Sequence, residues 1–244
     1  MKFRARWDLR SVPATENRSN LGEHLANSPG SPIHRGMDIR IFPLGPIETN
    51  AFLVVEGDSA LLVDAPWGAH ETVGKVLRES GLRLEGLLLT HGHWDHTTDA
   101  FKFQEDGVAL YGHPDDRELF EDPAAMEPFS IPRVPMEPVR IDHWVSDGDV
   151  LELMSKSIEV RHVPGHCPGN VLFYFPDQGA CLSGDALFAG GIGRFDLPGG
   201  DFAVLEKSIK DKIYSLPEDT EVFPGHGPVT TVGAEKARNP YVRG

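Results

Sequence analysis

Cysteine is scarce in this chain: Cys167 and Cys181 are its only two in 244 residues. A chain of that length does not depend on disulfides, and two isolated thiols cannot supply the cysteine cluster of a structural zinc site. Positive charge is scarce as well. Lys and Arg number 23 against 37 Asp and Glu, a formal charge of −14, which works against nucleic acid because that binding draws on cations that neutralise phosphates. Long apolar runs are missing too: stretches such as "AFLVV" and "GLLL" fall far below the roughly 18 residues of a membrane helix. No apolar signal segment opens the sequence. The expectation is a soluble, cytoplasmic protein with neither nucleic acid nor a membrane as partner. Oligomeric state leaves no mark in the sequence.

Residues 1–36 are relatively basic and lack a sustained apolar period, so they read as a flexible N-terminal extension ahead of a catalytic domain over 37–244. From Met37 onward, short β-branched or leucine-rich runs alternate with turn residues. "DIRIFPL", "NAFLVVEG" and "SALLVDAP" predict an antiparallel meander. "AHETVGKVLRESG" has Val73, Val76 and Leu77 at helical spacing and ends on Gly81, which predicts a helix leading into the buried strand "LEGLLLT". Further strands are expected at "GVALYG", "VLELMSKSIEVRHVPG", "NVLFYFP", "GACLSGD" and "TEVFPGHGP", with a helix at "DFAVLEKSIKDKIYSL". That order predicts two sheets with helices on their outer faces. Residues 121–140, with proline at 123, 128, 132, 135 and 138, read as a long surface loop or lid edge.

Metal-ligating residue types gather where predicted strands end. "LLLTHGHWDHTTDA", residues 87–100, carries His91, His93, Asp95 and His96 within six positions. In extended chain His91 and His93 point to one side and can share a metal, while a turn at the start of the following helix aims Asp95 and His96 at a neighbouring position. His166 in "VPGHCPGN", Asp185 in "LSGDALF" and His226 in "FPGHGP" follow later strands. Five histidines and two aspartates suit zinc, iron or manganese rather than calcium, and the pattern predicts a binuclear catalytic site with two divalent ions, zinc foremost. Of the other histidines, His24, His34, His70, His113 and His143 are expected to be solvated or locally hydrogen bonded. His162 is a lesser candidate for supporting the site, and Cys167 reads as a plain buried thiol.

"THGHWDH", "PGHCPGN", "SGDALF" and "PGHGP", in this order, resemble the metallo-β-lactamase fold superfamily. "GGIGRFDLPGGD" and the terminal "TTVGAEKARNPYV" are similar to the glyoxalase II-like, or hydroxyacylglutathione hydrolase, family in its short single-domain type. The resemblance implies an α/β fold, a four-layer αββα sandwich of two mixed β-sheets. It also implies one metal on His91, His93 and His166, a second on Asp95, His96 and His226, and Asp185 bridging both, with Asp95 and Asp185 as catalytic carboxylates. Asp64 in "LLVDAP" would orient the histidine loop through hydrogen bonds. Arg194 matches the position of a basic residue that meets the glutathione carboxylate in two-domain relatives. Their C-terminal helical domain has no counterpart here.

The reaction so implied is thioester hydrolysis, most naturally of S-acyl glutathione-type substrates, by a metal-bridging hydroxide. Persulfide dioxygenases share the fold and hold one iron on the counterparts of His91, His166 and Asp185, which keeps a mononuclear oxidoreductase as the alternative. A metal-binding protein without catalysis is disfavoured by the complete donor set. β-Lactamases usually lack the counterpart of His96 and of the bridging aspartate, which disfavours that activity as well.

Overall fold

A computed structural model describes residues 37–244. The expected extension over 1–36 lies outside the described residues. The chain opens with β1 (Asp38–Leu44), β2 (Thr49–Glu56) and β3 (Ser59–Val63), the predicted meander, paired antiparallel throughout. Helix α1 (Ala69–Ser80) ends where Gly81 takes the left-handed conformation and bonds back to Arg78 and Leu77, as C-terminal glycines do. Then follow β4 (Arg83–Leu88), α2 (Trp94–Thr97), α3 (Ala100–Glu105), β5 (Leu110–Gly112), α4 (Arg117–Glu121) and β6 (His143–Trp144). Strands β3 to β6 pair in parallel, because helices and long connections carry the chain back each time.

The second half supplies β7 (Val150–Leu153), β8 (Lys156–His162), β9 (Val171–Phe175), β10 (Ala180–Gly184), the ribbon β11 (Leu187–Phe188) with β12 (Gly191–Ile192), α5 (Phe202–Ser208), β13 (Glu221–Pro224), β14 (Thr230–Thr231) and α6 (Val232–Arg238). Among the described residues this makes two six-stranded sheets, ordered β1-β2-β3-β4-β5-β6 and β14-β13-β10-β9-β8-β7. Both are mixed, and the four-layer sandwich expected from the sequence is what forms.

Alternation along the strands explains the layering. On β2, Phe52 and Val54 face the space between the sheets, where they join Leu61, Leu88, Ile158, Phe173, Phe175 and Leu182. Their neighbours Ala51, Leu53 and Val55 face outward and are covered by α1 and α3 through Ala69, Val73, Ala100 and Phe103. The other sheet is covered likewise by Leu205, Ile209, Ile213 and Val232. Strands buried on both faces read as continuous apolar runs, which is why "AFLVV" and "ALLV" carry no polar alternation.

The proline-rich stretch differs from a free lid edge. Residues Pro123–Phe129 form a 3₁₀ turn that starts on proline, a position where the missing N–H costs nothing. Met126, with Ile131, Val134 and Met136, packs on Trp94 and Leu197. Apolar side chains between the prolines therefore fasten the segment over α2.

Candidate metal centre

The seven donors expected from the sequence converge where strands of both sheets end. His91 and His93 lie in the extended stretch after β4, and α2 begins at Trp94 with Asp95 in its first turn and His96 in its last. His166 comes from the β8–β9 loop, Asp185 follows β10, and His226 follows β13. His91 and His96 are fully buried, and His93, His166, Asp95 and Asp185 nearly so. The His226 side chain retains 26% exposure and faces Phe188 at a ring distance of 6.0 Å, so the centre meets solvent on that side.

Two groups of donors are distinguishable. His91 Nε2 lies 3.1 Å from His93 Nδ1 and 3.3 Å from His166 Nε2. Ligand bonds of about 2.0–2.1 Å at a tetrahedral angle would set nitrogens about 3.3–3.4 Å apart, so this trio has the spacing of a coordination shell. In the second group, Asp95 Oδ2 is 3.3 Å from His96 Nε2 and 3.2 Å from His226 Nε2. Asp185 stands between the two groups, with Oδ1 3.3 Å from His96 Nε2 and Oδ2 3.5 Å from His226 and 3.7 Å from His166. Buried polar atoms normally find partners. Yet His93 Nε2, His96 Nε2 and Asp185 Oδ1 are buried without a hydrogen bond among the described residues. For His96 and Asp185 a divalent cation would supply the missing partner, so the donor set fits such ions.

Neighbouring groups fix the ring orientations. Asp64, buried and left-handed at φ 61°, accepts from the Thr90 amide with Oδ1 and from the Thr90 hydroxyl and His96 Nδ1 with Oδ2, at 2.8, 2.8 and 2.7 Å. Thr90 Oγ1 in turn accepts from His91 Nδ1 at 3.0 Å, and the Arg194 carbonyl accepts from His166 Nδ1 at 2.7 Å. With their protons held outward, His91, His96 and His166 all aim Nε2 lone pairs inward.

A model of the metallo-beta-lactamase superfamily matches residues 44–226. The chain belongs to this superfamily. Hydroxyacylglutathione hydrolase GloC from Haemophilus influenzae is 35% identical over 210 residues, covering 84% of this chain and 98% of that protein. Among solved structures, BLEG-1 B3 metallo-beta-lactamase is 36% identical with a TM-score of 0.79, covering 85% of this chain and all of that one. TTHA1623 in a di-iron-bound form is 37% identical with a TM-score of 0.74, covering 83% and 100%. Metallo-beta-lactamase superfamily domains bind divalent metals, and the clusters here suit a binuclear site.

Electrostatics separates the two groups. Burial, with the neighbouring His96 and His93 rings, holds His91 well below the usual imidazole range. Burial followed by His166 brings His93 down to about 3. These rings are neutral at pH 7, the state in which imidazole ligates. Burial opposes charge on His96 too, but Asp95, Asp185 and Asp64 outweigh it and raise the ring well above its ordinary value. Asp95 falls to about 2, because His96 overcomes the burial that resists ionisation. The second group thus sets three carboxylates around the His96 ring, surroundings that favour a cation.

Several contributors carry no sequence signal. Thr49 Oγ1 donates to Asp95 Oδ2 at 2.9 Å. Asn50 Nδ2 donates to the carbonyls of Pro224 and Gly227, both at 2.9 Å, and the Asn50 amide donates to the Gly225 carbonyl at 2.8 Å, so β2 pins the His226 turn. Arg194 acts on His166 through its backbone, while its guanidinium is exposed and grips Asp196 at 2.8 and 3.1 Å. Of the histidines expected to be peripheral, His70 pairs with Asp106 and His143 stacks on Tyr111. His113 is locally hydrogen bonded, accepting from the Asp115 amide, and is buried as well. His24 and His34 lie outside the described residues. His162 donates to the Pro168 carbonyl at 2.7 Å, close to a ligand loop but not in the centre. No helix among the described residues is long and apolar enough to cross a membrane.

Proposed function

We propose that residues 37–244 form a binuclear metallohydrolase acting on S-acyl glutathione-type thioesters. The observation that carries this is the pair of donor groups joined by Asp185, whose oxygens lie 3.3 to 3.7 Å from nitrogens of both. In this reading His91, His93 and His166 hold one ion, Asp95, His96 and His226 hold the other, and Asp185 spans them. When bound, the ions supply a hydroxide at neutral pH and polarise the acyl carbonyl. The chain's own residues do the rest. Asp64, Thr90 and the Arg194 carbonyl keep the imidazole lone pairs aimed inward, and Thr49 holds the Asp95 carboxylate in place. The open His226 side admits the substrate, while the proline-rich segment packs on Trp94, the residue between His93 and Asp95.

The thioester class is supported by the similarity to hydroxyacylglutathione hydrolase GloC, nearly all of which this chain covers. A mononuclear iron oxidoreductase shares the fold and the donor string, and the "PGGD" loop and the "EKARNP" tail favour the hydrolase over it. The reading includes zinc as the usual metal, with iron or manganese as substitutes. It also includes a cytoplasmic location, supported by two buried, unpaired thiols.

The deciding experiment loads purified protein with zinc, manganese or iron, counts metal per chain, and offers a panel. The panel holds an S-hydroxyacyl glutathione thioester, a thioester without glutathione, an oxygen ester, a β-lactam, and glutathione persulfide with oxygen uptake followed. Two metals and fastest turnover on the glutathione thioester are expected. Oxygen consumption with one iron, or preference for the β-lactam, would replace the proposal.

Arg194 gives a narrower test. Its guanidinium is expected to leave Asp196 for a substrate carboxylate, a contact made equally in ground and transition states. Arg194→Ala should raise KM for carboxylate-bearing thioesters about 3- to 10-fold with kcat and metal content unchanged. Asp196→Ala, which frees the guanidinium, should lower KM. Unaltered kinetics in both variants would remove Arg194 from recognition.

A further inference from the structure

Asp116 lies in none of the donor groups, yet its side chain touches both loops that supply the three-histidine position. It closes the turn Pro114–Asp116 between β5 and α4 and is almost fully buried. Oδ2 accepts from the amide of Gly92, the residue between His91 and His93, at 2.8 Å, and from Cys167 Sγ at 3.2 Å. Oδ1 accepts from the Gly169 amide at 2.6 Å. Every partner is a donor, as an ionised carboxylate requires, and the donors belong to segments 24 and 53 residues away in sequence.

The backbone is shaped around this contact. A Cβ on Gly92 would come within 2.6 Å of Leu119 Cβ and 3.2 Å of Asp116 Cβ, and one on Gly169 within 2.6 Å of Asp116 Cγ. Both loops thus need glycine where they approach the same turn. A second contact reinforces the join: His113, at the start of that turn, stacks on His162 at 4.0 Å and 16°, and His162 donates to the Pro168 carbonyl.

We infer that Asp116 is a positioning residue that latches the His91–His93 loop to the His166 loop and thereby sets the metal affinity of the three-histidine position. It fixes the 3.3 Å separation of His91 and His166 from outside the coordination shell. The inference rests on the binuclear reading above. Asn at 116 keeps the shape but turns one acceptor into a donor, so either the Gly92 or the Gly169 amide faces an N–H and one loop is released.

The test separates the two positions by mutation and uses zinc alone, titrated into metal-free protein against a chromophoric chelator. In a His226→Ala background, which leaves the three-histidine position intact, adding Asp116→Asn should weaken zinc binding about 10- to 100-fold. In a His93→Ala background, where the remaining zinc sits on the other group, the same change should alter affinity less than about twofold. A residue with only a general stabilising role would weaken both alike or neither, and either result overturns the latch. Hydrogen exchange on unmutated, metal-free protein needs no variant: the Gly92 and Gly169 amides should stay protected, and free exchange there would likewise overturn it. Wild-type protein that takes up no zinc would instead sink the underlying metal reading, and the latch with it.

Discussion

Asp185→Asn is expected to leave purified protein with fewer than two metals per chain and to lower kcat on the order of a hundred- to a thousandfold. Asparagine preserves the volume of a nearly buried side chain but removes the negative charge that faces His96, His226 and His166 together. Two cations held side by side would repel each other, and a carboxylate shared between them would offset that repulsion. The His96, His226 and His166 rings keep the Asp185 carboxyl far below the usual carboxylate range even against burial, so its charge is present at every pH of interest. Elemental analysis and kcat at saturating metal check the outcome. Two retained metals with near-normal turnover would refute the bridge.

Asp64→Asn should act through a proton rather than a charge. Asp64 receives donors at both oxygens, from the Thr90 amide and hydroxyl and from His96 Nδ1. The Asn carbonyl can serve the Thr90 amide, which leaves the NH₂ facing His96 Nδ1. The ring must then accept there and carry its proton on Nε2, pointed between Asp95 and Asp185 where a lone pair is required. Asn tolerates the left-handed backbone at φ 61°, so folding is spared. Metal affinity of the Asp95–His96–His226 position is expected to fall about 10- to 100-fold, with partial recovery of activity in excess metal. Nitrogen NMR of the His96 ring should show the tautomer reversed, and an unchanged tautomer with unchanged affinity would dismiss this role for Asp64.

Much of this architecture is legible in the chain. Runs such as "LLLT" mark strands because both faces are buried, and a donor placed straight after such a run is carried to a strand end without further information. His91, His93, Asp95, His96, His166, Asp185 and His226 were readable for that reason. Of the groups that hold them, only Asp64 was readable, through the family resemblance. Thr49 and Asn50 look like ordinary β2 residues, and their partners, Asp95 and the His226 turn, are 46 and about 175 positions away. Asp116 draws no attention in the sequence, and only the packing of the turn after β5 against the loops of Gly92 and Gly169 reveals what it touches. His113 carried no mark of burial, because its cover is the His162 ring from the other sheet. Arg194 illustrates a different limit: sequence displays side chains, whereas its contact with His166 is made by a carbonyl that any residue would bring.

Each donor group draws on both sheets: His91 and His93 follow β4 but His166 follows β8, and Asp95 and His96 sit on α2 but His226 follows β13. The covalent link between the halves of the chain runs through the turn between β6 and β7, where Ser146, Asp147, Gly148 and Asp149 are exposed. A polypeptide cut at that turn would yield two fragments, one bearing four of the seven donors and the other three, neither able to complete a coordination shell. Their reassembly would therefore depend on metal concentration as well as on the apolar surface between the sheets, which makes the sandwich a natural template for a split reporter of free zinc.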